Sequence, residues 1–356
     1  MKKTVYLLYV CMALCLLVSC KSKKQLVATP TAAFWTIEHV SGDSVTISRH
    51  SGPTDTLPLV DSVYAEPKLV SKEKQTVSAT QTPAKKQRKK AVGEARITHS
   101  SIGVSSSYSG VDRVVNYEFT HRDVPEAFEG FRIAFISDLH YQSLLKETGL
   151  KDLVRLLIAQ KADVLLMGGD YQEGCEYVDP LFKALAGVQT PLGTYGVMGN
   201  NDYERCHDEI VQSMQHYGMH VLEHKVDTLR KDGQYIILAG VRDPFDLTRN
   251  GESPTLGLSA DDFVILLVHT PDYIEQVPVT HTDLALAGHT HGGQVRVFGI
   301  APVLNSHYGT RFLTGLAYNS ENIPIIVTNG IGTSRMPIRM GAPAEVIIIT
   351  LHRLTE

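Results

Sequence analysis

The sequence predicts an α/β domain in which two packed β-sheets are flanked by helices. Short apolar runs typical of buried strands alternate with segments whose apolar residues recur at helical period. Five of the runs end in residues that bind metal ions, as expected where the strands of an open α/β sheet deliver polar side chains to one edge. The chain has 356 residues, 43% of them hydrophobic, which is enough for one domain with a substantial core and a terminal extension.

The N-terminus, residues 1–20, has the pattern of a lipoprotein signal peptide. Two lysines precede an apolar run at residues 5–18, which is too short for a comfortable bilayer span. The run ends in Leu17-Val18-Ser19-Cys20, which resembles a bacterial lipobox. We therefore expect cleavage before Cys20 and a lipid on that cysteine. The alternative is an uncleaved N-terminal anchor, and both interpretations place the domain that follows outside the cytoplasm.

Residues 21–112 have the composition of a polar, basic and largely disordered tether. They are rich in Ser, Thr and Lys and include a basic run at residues 85–90, for which a solvated tether is favoured over a surface that binds anionic lipid or polymer. Residues 34–37 and 44–49 predict at most one short hairpin. No acidic residue directly follows Cys20, so we expect an outer-membrane lipoprotein that faces the periplasm.

The strands of the domain, residues 113–356, are predicted from its apolar runs. Runs that end in polar motifs lie at residues 131–136, 164–167, 195–198, 263–268 and 284–287. Further strands are predicted at residues 235–239, 323–327 and 346–351. Apolar stripes from Leu150 to Ile158 and from Ile210 to Tyr217 predict two helices, the second of which ends at Gly218.

The polar motifs at the ends of the five runs have the composition of a transition-metal site. The last run leads into Gly288-His289-Thr290-His291-Gly292-Gly293-Gln294, where glycines surround two imidazoles. The other four runs lead into Ser137-Asp138-Leu139-His140, Gly168-Gly169-Asp170, Gly199-Asn200-Asn201-Asp202 and His269-Thr270-Pro271. Imidazoles together with hard oxygens suit Mn, Fe or Zn better than Ca or Mg, and no cysteine lies in the motifs.

Taken in order, these motifs resemble the signature of the calcineurin-like metallophosphoesterases: Asp-x-His, Gly-Asp, Gly-Asn-His-Asp/Glu, His and Gly-His-x-His. The form Gly-His-Thr-His-Gly-Gly-Gln and the segment 329–339 are similar to the bacterial, membrane-associated YkuE-like branch, and the resemblance covers residues 114–352. It implies a four-layer αββα sandwich of two mixed sheets with flanking helices. It also implies two divalent transition metal ions that activate a water for hydrolysis of a phosphate ester.

The resemblance assigns a metal-binding role to seven residues. One ion would lie on Asp138, His140 and His291. The second would lie on Asn200, His269 and His289. Asp170 would bridge the two ions, since a carboxylate between two cations offsets their repulsion and fixes their spacing.

The sequence departs from the family at Asn201, where the signature has a histidine that acts as general acid or contacts phosphate. An Asn donates a hydrogen bond but delivers no proton at neutral pH. Three interpretations are open: a substrate whose leaving group needs little help, such as an aryl phosphate or a pyrophosphate; a substitute acid such as His207 or Tyr203; or weakened catalysis. We therefore expect catalytic roles for Asn201, Asp202 and His207.

Two of the five cysteines, Cys175 and Cys206, lie in the catalytic domain. Each follows a predicted metal motif, so both belong to loops at the same edge of the sheet, in a compartment that is expected to be oxidising. A disulfide that ties these loops together competes with two separately buried thiols.

The leading functional prediction is a monomeric, lipid-anchored phosphoesterase of the cell envelope. Its substrate would be a phosphate or pyrophosphate ester on a small molecule, lipid or glycolipid. The alternative is a weakened member of the family that binds phosphorylated envelope ligands without efficient turnover. Nucleic acid is excluded as a partner, because the net charge is −4 and no basic face with interleaved aromatic residues occurs beyond the tether.

Overall fold

The computed structural model describes residues 33–41, 44–51, 93–101, 110–242 and 252–355. The predicted signal peptide, Cys20 and most of the predicted tether lie outside the described residues. The chain divides into two compact units, Met1–Thr82 and Pro83–Glu356. Among the described residues, no helix combines the length and the apolar character that a bilayer span requires.

The described part of the first unit is a β-hairpin. Strand β1 (Ala33–Ser41) pairs antiparallel with β2 (Ser44–Ser51), and Ser41 lies opposite Ser44. The register shifts between Ile37 and His39. Both strands extend beyond the short segments from which the hairpin was predicted.

The second unit contains a seven-stranded mixed sheet. Its order is β3-β4-β15-β5-β6-β7-β8. The strands are β3 (Glu94–Ser101), β4 (Arg113–His121), β5 (Arg132–Ile136), β6 (Val164–Met167), β7 (Thr194–Gly196), β8 (His220–Val221) and β15 (Glu345–Arg353). Strands β5 to β8 run parallel to one another, and β15 runs antiparallel to β5.

Strand β3 lies before residue 113, where the sequence predicted the start of the domain. It pairs antiparallel with β4 from Glu94 opposite Thr120 to Ser101 opposite Arg113. The segment was assigned to the tether because its polar composition resembles the rest of residues 21–112, and only Ala95 and Ile97 interrupt it with apolar side chains. An edge strand of this kind gains its order from backbone pairing, which composition does not predict.

The second sheet has six strands in the order β13-β14-β12-β11-β10-β9. They are β9 (Lys225–Lys231), β10 (Gln234–Gly240), β11 (Val264–Leu267), β12 (Leu284–Ala287), β13 (Gly315–Tyr318) and β14 (Pro324–Val327). Strands β10, β11, β12 and β14 are parallel, and the two edge strands are antiparallel to their neighbours.

The predicted sandwich of two mixed sheets with flanking helices is confirmed. Apolar side chains such as Phe135, Leu166 and Leu286 pack in a core between the two sheets. The helices are α1 (Glu147–Gln160), α2 (Val178–Leu185), α3 (Asn200–Glu204), α4 (His207–His216) and α5 (Tyr273–Gln276). Helices α1, α2 and α4 pack on the outer face of the seven-stranded sheet, and both predicted helices are among them. Ile158 of the first predicted stripe is exposed instead of packed.

This topology places the predicted motifs together. The carboxyl ends of β5, β6 and β7 in one sheet and of β11 and β12 in the other lead directly into the five polar segments. Ligand sites of open α/β sheets form at such edges, because the loops that leave parallel strands meet there.

Candidate metal centre

The predicted ligands come together between the carboxyl ends of the two sheets. The ligand atoms of Asp138, His140 and His291 all lie within 4.8 Å of one another. Asp138 also forms such a group with Asp170 and His269. These five residues are almost completely buried. The first group is the ligand set predicted for the first ion.

The two remaining predicted ligands lie beside the second group. His289 Nδ1 is 3.2 Å from His269 Nε2, and the backbone amide of His289 donates to both carboxylate oxygens of Asp138 at 3.0 Å. Asn200 begins α3 directly after Gly199 and lines the same cavity as His289. All seven side chains are therefore gathered at one edge of the sandwich.

The backbone is strained at this site. Asp138, His140, Asp170, His289 and His291 all have φ between 37° and 68°, a left-handed conformation that residues other than glycine rarely adopt. Such strain persists where the surrounding structure enforces it and is concentrated at functional sites. Each of these residues lies two to four residues after the end of its strand.

Two histidines are fixed in the tautomer that binds a metal through Nε2. His269 Nδ1 donates to the Gly168 carbonyl at 2.7 Å, and His140 Nδ1 donates to Glu173 Oε1 at 2.6 Å. Both Nε2 atoms then lie 3.4 Å from Asp170 Oδ2. Hydrogen bonding of a ligand's second ring nitrogen is typical of metal-binding histidines. The role of Glu173 was not predicted from the sequence, and its position three residues after Asp170 was the only signal.

A buried, unpaired oxygen of the site fits a metal centre. Within the described part of the chain, Asn200 Oδ1 is buried and makes no hydrogen bond, and the buried His140 Nε2 lies 3.4 Å from Asp170 Oδ2. Leaving a buried polar atom unpaired costs about 1–3 kcal/mol. A divalent cation coordinated by these atoms would remove that cost, so the residues present fit the metal ions that the resemblance implies.

Carboxylates of the site keep His140 and His269 protonated at the positions where metal cations would bind. Burial alone would raise the pKa of Asp170, but the charges of His269 and His140 hold it well below its usual range. Burial opposes protonation of both histidines. Even so, the carboxylates of Asp170 and Glu173 raise the pKa of His140 to about 10, and Asp170 raises the pKa of His269 to about 9. Asp170 thus lies between two imidazolium groups when no metal is bound.

The other two histidines are neutral. Burial and the charge of His269 lower the pKa of His289 to about 3. Burial, followed by the charges of His140 and Arg339, holds the pKa of His291 well below its usual range. Neutral imidazole is the form that binds a metal, so these two ligands need no deprotonation.

Metal affinity should therefore rise with pH. His140 and His269 carry protons up to a pKa of about 10 and about 9, and both must lose them to bind metal. Each proton released tightens binding by up to about tenfold per pH unit below those pKa values. Calorimetric titration of Mn²⁺ into metal-free protein, in buffers of different ionisation enthalpy, measures the protons released. An affinity that is constant between about pH 6.5 and about pH 8 would contradict this charge arrangement.

The ligands line an open cavity of about 760 Å³. Asp170, Asn200, His289 and His291 reach its surface, and Arg205 and Arg335 line its wall. The cavity is far larger than one phosphate group requires, and pockets of this size hold drug-sized ligands.

Comparisons with known proteins identify the family. A family model for the calcineurin-like phosphoesterases matches residues 131–293, which include all seven predicted ligands. The uncharacterized metallophosphoesterase YkuE of Bacillus subtilis strain 168 is 30% identical over 237 residues, which are 64% of this chain and 81% of YkuE. Phosphodiesterase YaeI of Escherichia coli strain K12 is 30% identical over 229 residues, which are 62% of this chain and 82% of YaeI. The chain belongs to the calcineurin-like metallophosphoesterases.

Solved structures resemble the chain more weakly. The 5'-nucleotidase precursor from Thermus thermophilus aligns with a TM-score of 0.36 and 13% identity, over 56% of this chain and 48% of that chain. Members of this metallophosphoesterase family use divalent metals, and the fit of this chain's ligands to such ions rests on the geometry of its own site.

Asn201, where the family signature has histidine, holds the predicted bridging carboxylate. Its backbone amide donates to Asp170 Oδ1 and its side-chain amide donates to Asp170 Oδ2, both at 2.9 Å. Asn201 also lines the cavity. It is therefore a positioning residue for Asp170 that delivers no proton.

Asp202 is a buried supporting residue in the structure, and the catalytic role expected for it stays a prediction. Its side chain is completely buried, and its carboxylate accepts hydrogen bonds from the backbone amides of Asp170 at 2.7 Å, Tyr171 at 2.9 Å and Gly199 at 2.8 Å. Burial, followed by the charge of Asp170, raises the pKa of Asp202 to about 7. Asp202 thus orients the two loops that carry the ligands and lies beneath the cavity.

The predicted substitute acids, His207 and Tyr203, do not line the cavity. His207 Nε2 donates to Glu223 Oε1 at 3.0 Å, and the Tyr203 hydroxyl donates to the same oxygen. Neither residue lines the cavity, whereas His307 does. Both were proposed because they follow Asn201 closely in sequence. Tyr203 in α3 and His207 at the start of α4 both contact Glu223, and that contact is not predictable from sequence spacing.

Cys175 and Cys206 form a disulfide, with Cα atoms 5.4 Å apart. The predicted pairing is therefore present in the structure. Cys175 follows the loop that carries Asp170 and Glu173, and Cys206 follows the helix that carries Asn201 and Asp202. The crosslink joins the two segments that hold the bridging carboxylate.

Loss of this disulfide should weaken metal binding. In the double variant Cys175→Ser with Cys206→Ser, we expect metal affinity to fall about 10-fold to 100-fold, the effect typical of lost support for a metal ligand. Competition with a chromogenic chelator measures that affinity. The bond closes 31 residues, so global stability also falls, by up to about 3–4 kcal/mol, and the titration belongs well below the unfolding midpoint. Unchanged metal affinity would show that the crosslink supports the fold alone.

Proposed function

We propose that the protein is a metal-dependent phosphoesterase of the cell envelope, anchored by a lipid on Cys20, that hydrolyses a phosphate or pyrophosphate ester of an amphiphilic substrate. The observation that carries this proposal is the gathering of all seven predicted ligands at one edge of the sandwich, where four of them line an open cavity of about 760 Å³. A ligand set this complete favours catalysis over binding alone, because a binding protein has less need of it.

The residues of the cavity support the recognition of a phosphoryl group. Arg205 and Arg335 line its wall, and guanidinium groups pair with phosphate oxygens through two parallel hydrogen bonds. Divalent ions bound at the seven ligands would stabilise charge on the phosphoryl oxygens and lower the pKa of an attacking water. Asn201 and Asp202 hold Asp170 in place, and Glu173 and Gly168 hold the two imidazoles.

The leaving group is the part of the reaction that the site supports least. Asn201 delivers no proton, and His207 and Tyr203 are directed towards Glu223. A substrate whose leaving group is itself weakly basic, such as a pyrophosphate or an aryl phosphate, needs no proton in the transition state. These contacts support a pyrophosphate or an activated diester over a simple alkyl phosphate.

Three further observations support an envelope location or a phosphodiester substrate. The Escherichia coli relative bears the name phosphodiesterase, and a Danio rerio relative that is 27% identical is a transmembrane protein with a metallophosphoesterase domain. The Cys175–Cys206 disulfide suits an oxidising compartment, where such bonds persist.

The experiment is a leaving-group series with Mn²⁺ present. We expect rates to rise steeply as the leaving group's pKa falls, from alkyl phosphates through pyrophosphates to nitrophenyl esters. Asn201→His should accelerate alkyl phosphates by up to about 10²-fold and nitrophenyl esters little, since only the former need an acid. A flat series in the native protein would contradict the proposal. If the series is flat, His207→Ala and His307→Ala would identify the residue that acts as the acid. Removing that residue should make the rate depend steeply on the leaving group's pKa.

Asn201 also supports the alternative of a phosphate-binding protein with little turnover. The family signature has an acid at this position. Here the Asn201 side chain instead donates a hydrogen bond to the predicted bridging carboxylate. Tight binding of inorganic phosphate in the presence of Mn²⁺, without measurable hydrolysis of any ester in the series, would favour this function.

A further inference from the structure

An exposed apolar surface lies beside the mouth of the cavity. Two loops form it, residues 295–304 and residues 334–340. The exposed fractions are 100% for Phe298, 71% for Ile300, 62% for Val303 and 58% for Met336. Val297, Leu304, Ile338 and Met340 are exposed as well. Single exposed apolar residues are common, but a contiguous group of this kind marks an interaction surface. We call these two loops the apolar rim.

The two loops of the apolar rim are held together by backbone hydrogen bonds. Arg296 N donates to the Met340 carbonyl at 2.7 Å, and Ile300 N donates to the Val297 carbonyl at 3.0 Å, which turns Phe298 outward. Gln294 Nε2 donates to the carbonyls of Ser334 and Met336 at 3.1 Å. The exposed side chains therefore project from an ordered pair of loops.

The charges of the apolar rim match an anionic bilayer. The two loops contain Arg296, Arg335 and Arg339 and no Asp or Glu. Arg296 and Arg339 are half-buried and their guanidinium groups donate to backbone carbonyls, whereas Arg335 is exposed and lines the cavity. A cluster of apolar side chains beside an exposed arginine enters the headgroup region of a membrane through apolar burial and attraction to anionic lipids.

The apolar rim is continuous with the candidate metal centre. Leu304 and Arg335 belong to the apolar rim and also line the cavity that contains Asp170 and His289. A bilayer that covers the rim would thus lie directly at the cavity mouth. A substrate held in that bilayer would reach the metal ligands without leaving it entirely.

We propose that the apolar rim, with Phe298 at its tip, inserts into an anionic lipid surface and orients the cavity towards the bilayer. This contact is separate from the expected lipid on Cys20. An anchor at the end of a tether keeps the domain near a membrane, whereas the apolar rim determines which face of the domain meets it. The proposal requires neither metal nor turnover, so it stands or fails independently of the proposed function.

Local fluorescence in the full chain tests this orientation. Trp35, the single tryptophan of the sequence, is replaced by Phe, and one reporter is introduced, either Phe298→Trp or the control Ile158→Trp. Ile158 is 53% exposed near the end of α1, which precedes β6, so it lies at the opposite end of that strand from Asp170. Both variants are bound to vesicles of phosphatidylcholine and phosphatidylglycerol with brominated acyl chains, which quench tryptophan only on contact.

We expect bromolipid quenching of the Phe298→Trp reporter to be at least about threefold stronger than that of the control, and weaker on phosphatidylcholine alone. Equal quenching at the two positions, or none at position 298, would overturn the proposal. Without quenching, two further results would assign the apolar rim to another occupant. A dimer that Phe298→Ser dissociates would assign it to a second copy of the chain. Protection of the reporter from acrylamide in the monomer would assign it to another segment of the chain.

A matched pair of variants measures the consequence for activity. Phe298→Ser should lower hydrolysis of a vesicle-borne ester several-fold and leave a soluble nitrophenyl ester unchanged, while Ile158→Ser should change neither. Equal losses of Phe298→Ser on both substrates would indicate damage to the fold and contradict a role at the bilayer.

Discussion

Replacing Asp170 with Asn should remove most bound metal and lower phosphoesterase activity by at least about 10²-fold. Asp170 Oδ2 lies 3.4 Å from both His140 Nε2 and His269 Nε2, and both carboxylate oxygens accept hydrogen bonds from Asn201. An amide would lose the negative charge and turn its NH₂ group towards one of these donors. The side chain is the predicted bridge, so its loss should weaken both metal positions. Elemental analysis and hydrolysis of a nitrophenyl ester measure the two effects.

The control for this variant is Asp152→Asn. This substitution makes the same change of charge on the surface of α1, where Asp152 pairs with Arg155 at 2.7 Å. Exposed pairs of this kind contribute little, so metal content and activity should be unchanged. Full metal occupancy and normal activity in Asp170→Asn would overturn the assignment of the site.

The second large effect is expected from Gly199→Ala. A Cβ at Gly199 would collide with the Asp170 carboxylate and approach the His269 ring. The backbone of Gly199, with φ −98° and ψ 178°, is one that alanine adopts without strain. The added methyl group therefore acts only by displacing these two ligands, and a displacement of about 1 Å costs about 10²-fold in rate. Steady-state kinetics at saturating Mn²⁺ measure the loss.

Gly257→Ala is the matched control. A Cβ at Gly257 would meet no atom within 4 Å, so the same substitution should leave kinetics unchanged. Native activity and metal affinity in Gly199→Ala would contradict the placement of Asp170 and His269 beside Gly199.

The sequence predicted which residues gather at the candidate metal centre better than it predicted their supporting contacts, for a physical reason. Asp138, His140 and Asp170 follow directly after buried strands, so hydrophobic runs place them at the sheet edge. The hydrogen bonds of Glu173 to His140 and of Asp202 to three backbone amides depend on loop conformation. Left-handed φ angles at five of the ligands determine those conformations, and residues other than glycine give little sign of them in sequence.

The strands of the core were likewise predicted better than the strands at the sheet edges. Strands β6 and β12 begin and end at the predicted residues because both lie wholly in the core, where an uninterrupted apolar run marks the strand. Strands β3, β4, β8, β9 and β13 were not predicted. They lie at or near the sheet edges, and in β3 and β9 residues such as Thr98 and Lys225 alternate with few apolar side chains. Their order comes from pairing with a neighbour distant in sequence, which hydrophobic period does not reveal.

The most direct test of a two-metal phosphoesterase centre is a Mn²⁺ titration of metal-free protein, followed by electron paramagnetic resonance and by nitrophenyl ester hydrolysis on the same samples. The account predicts that the second equivalent of Mn²⁺ produces an exchange-coupled signal, as expected for ions about 3.5–4 Å apart, and that activity rises with it. Activity that is complete without added metal, or Mn²⁺ that binds only as isolated ions with no gain in activity, would contradict it.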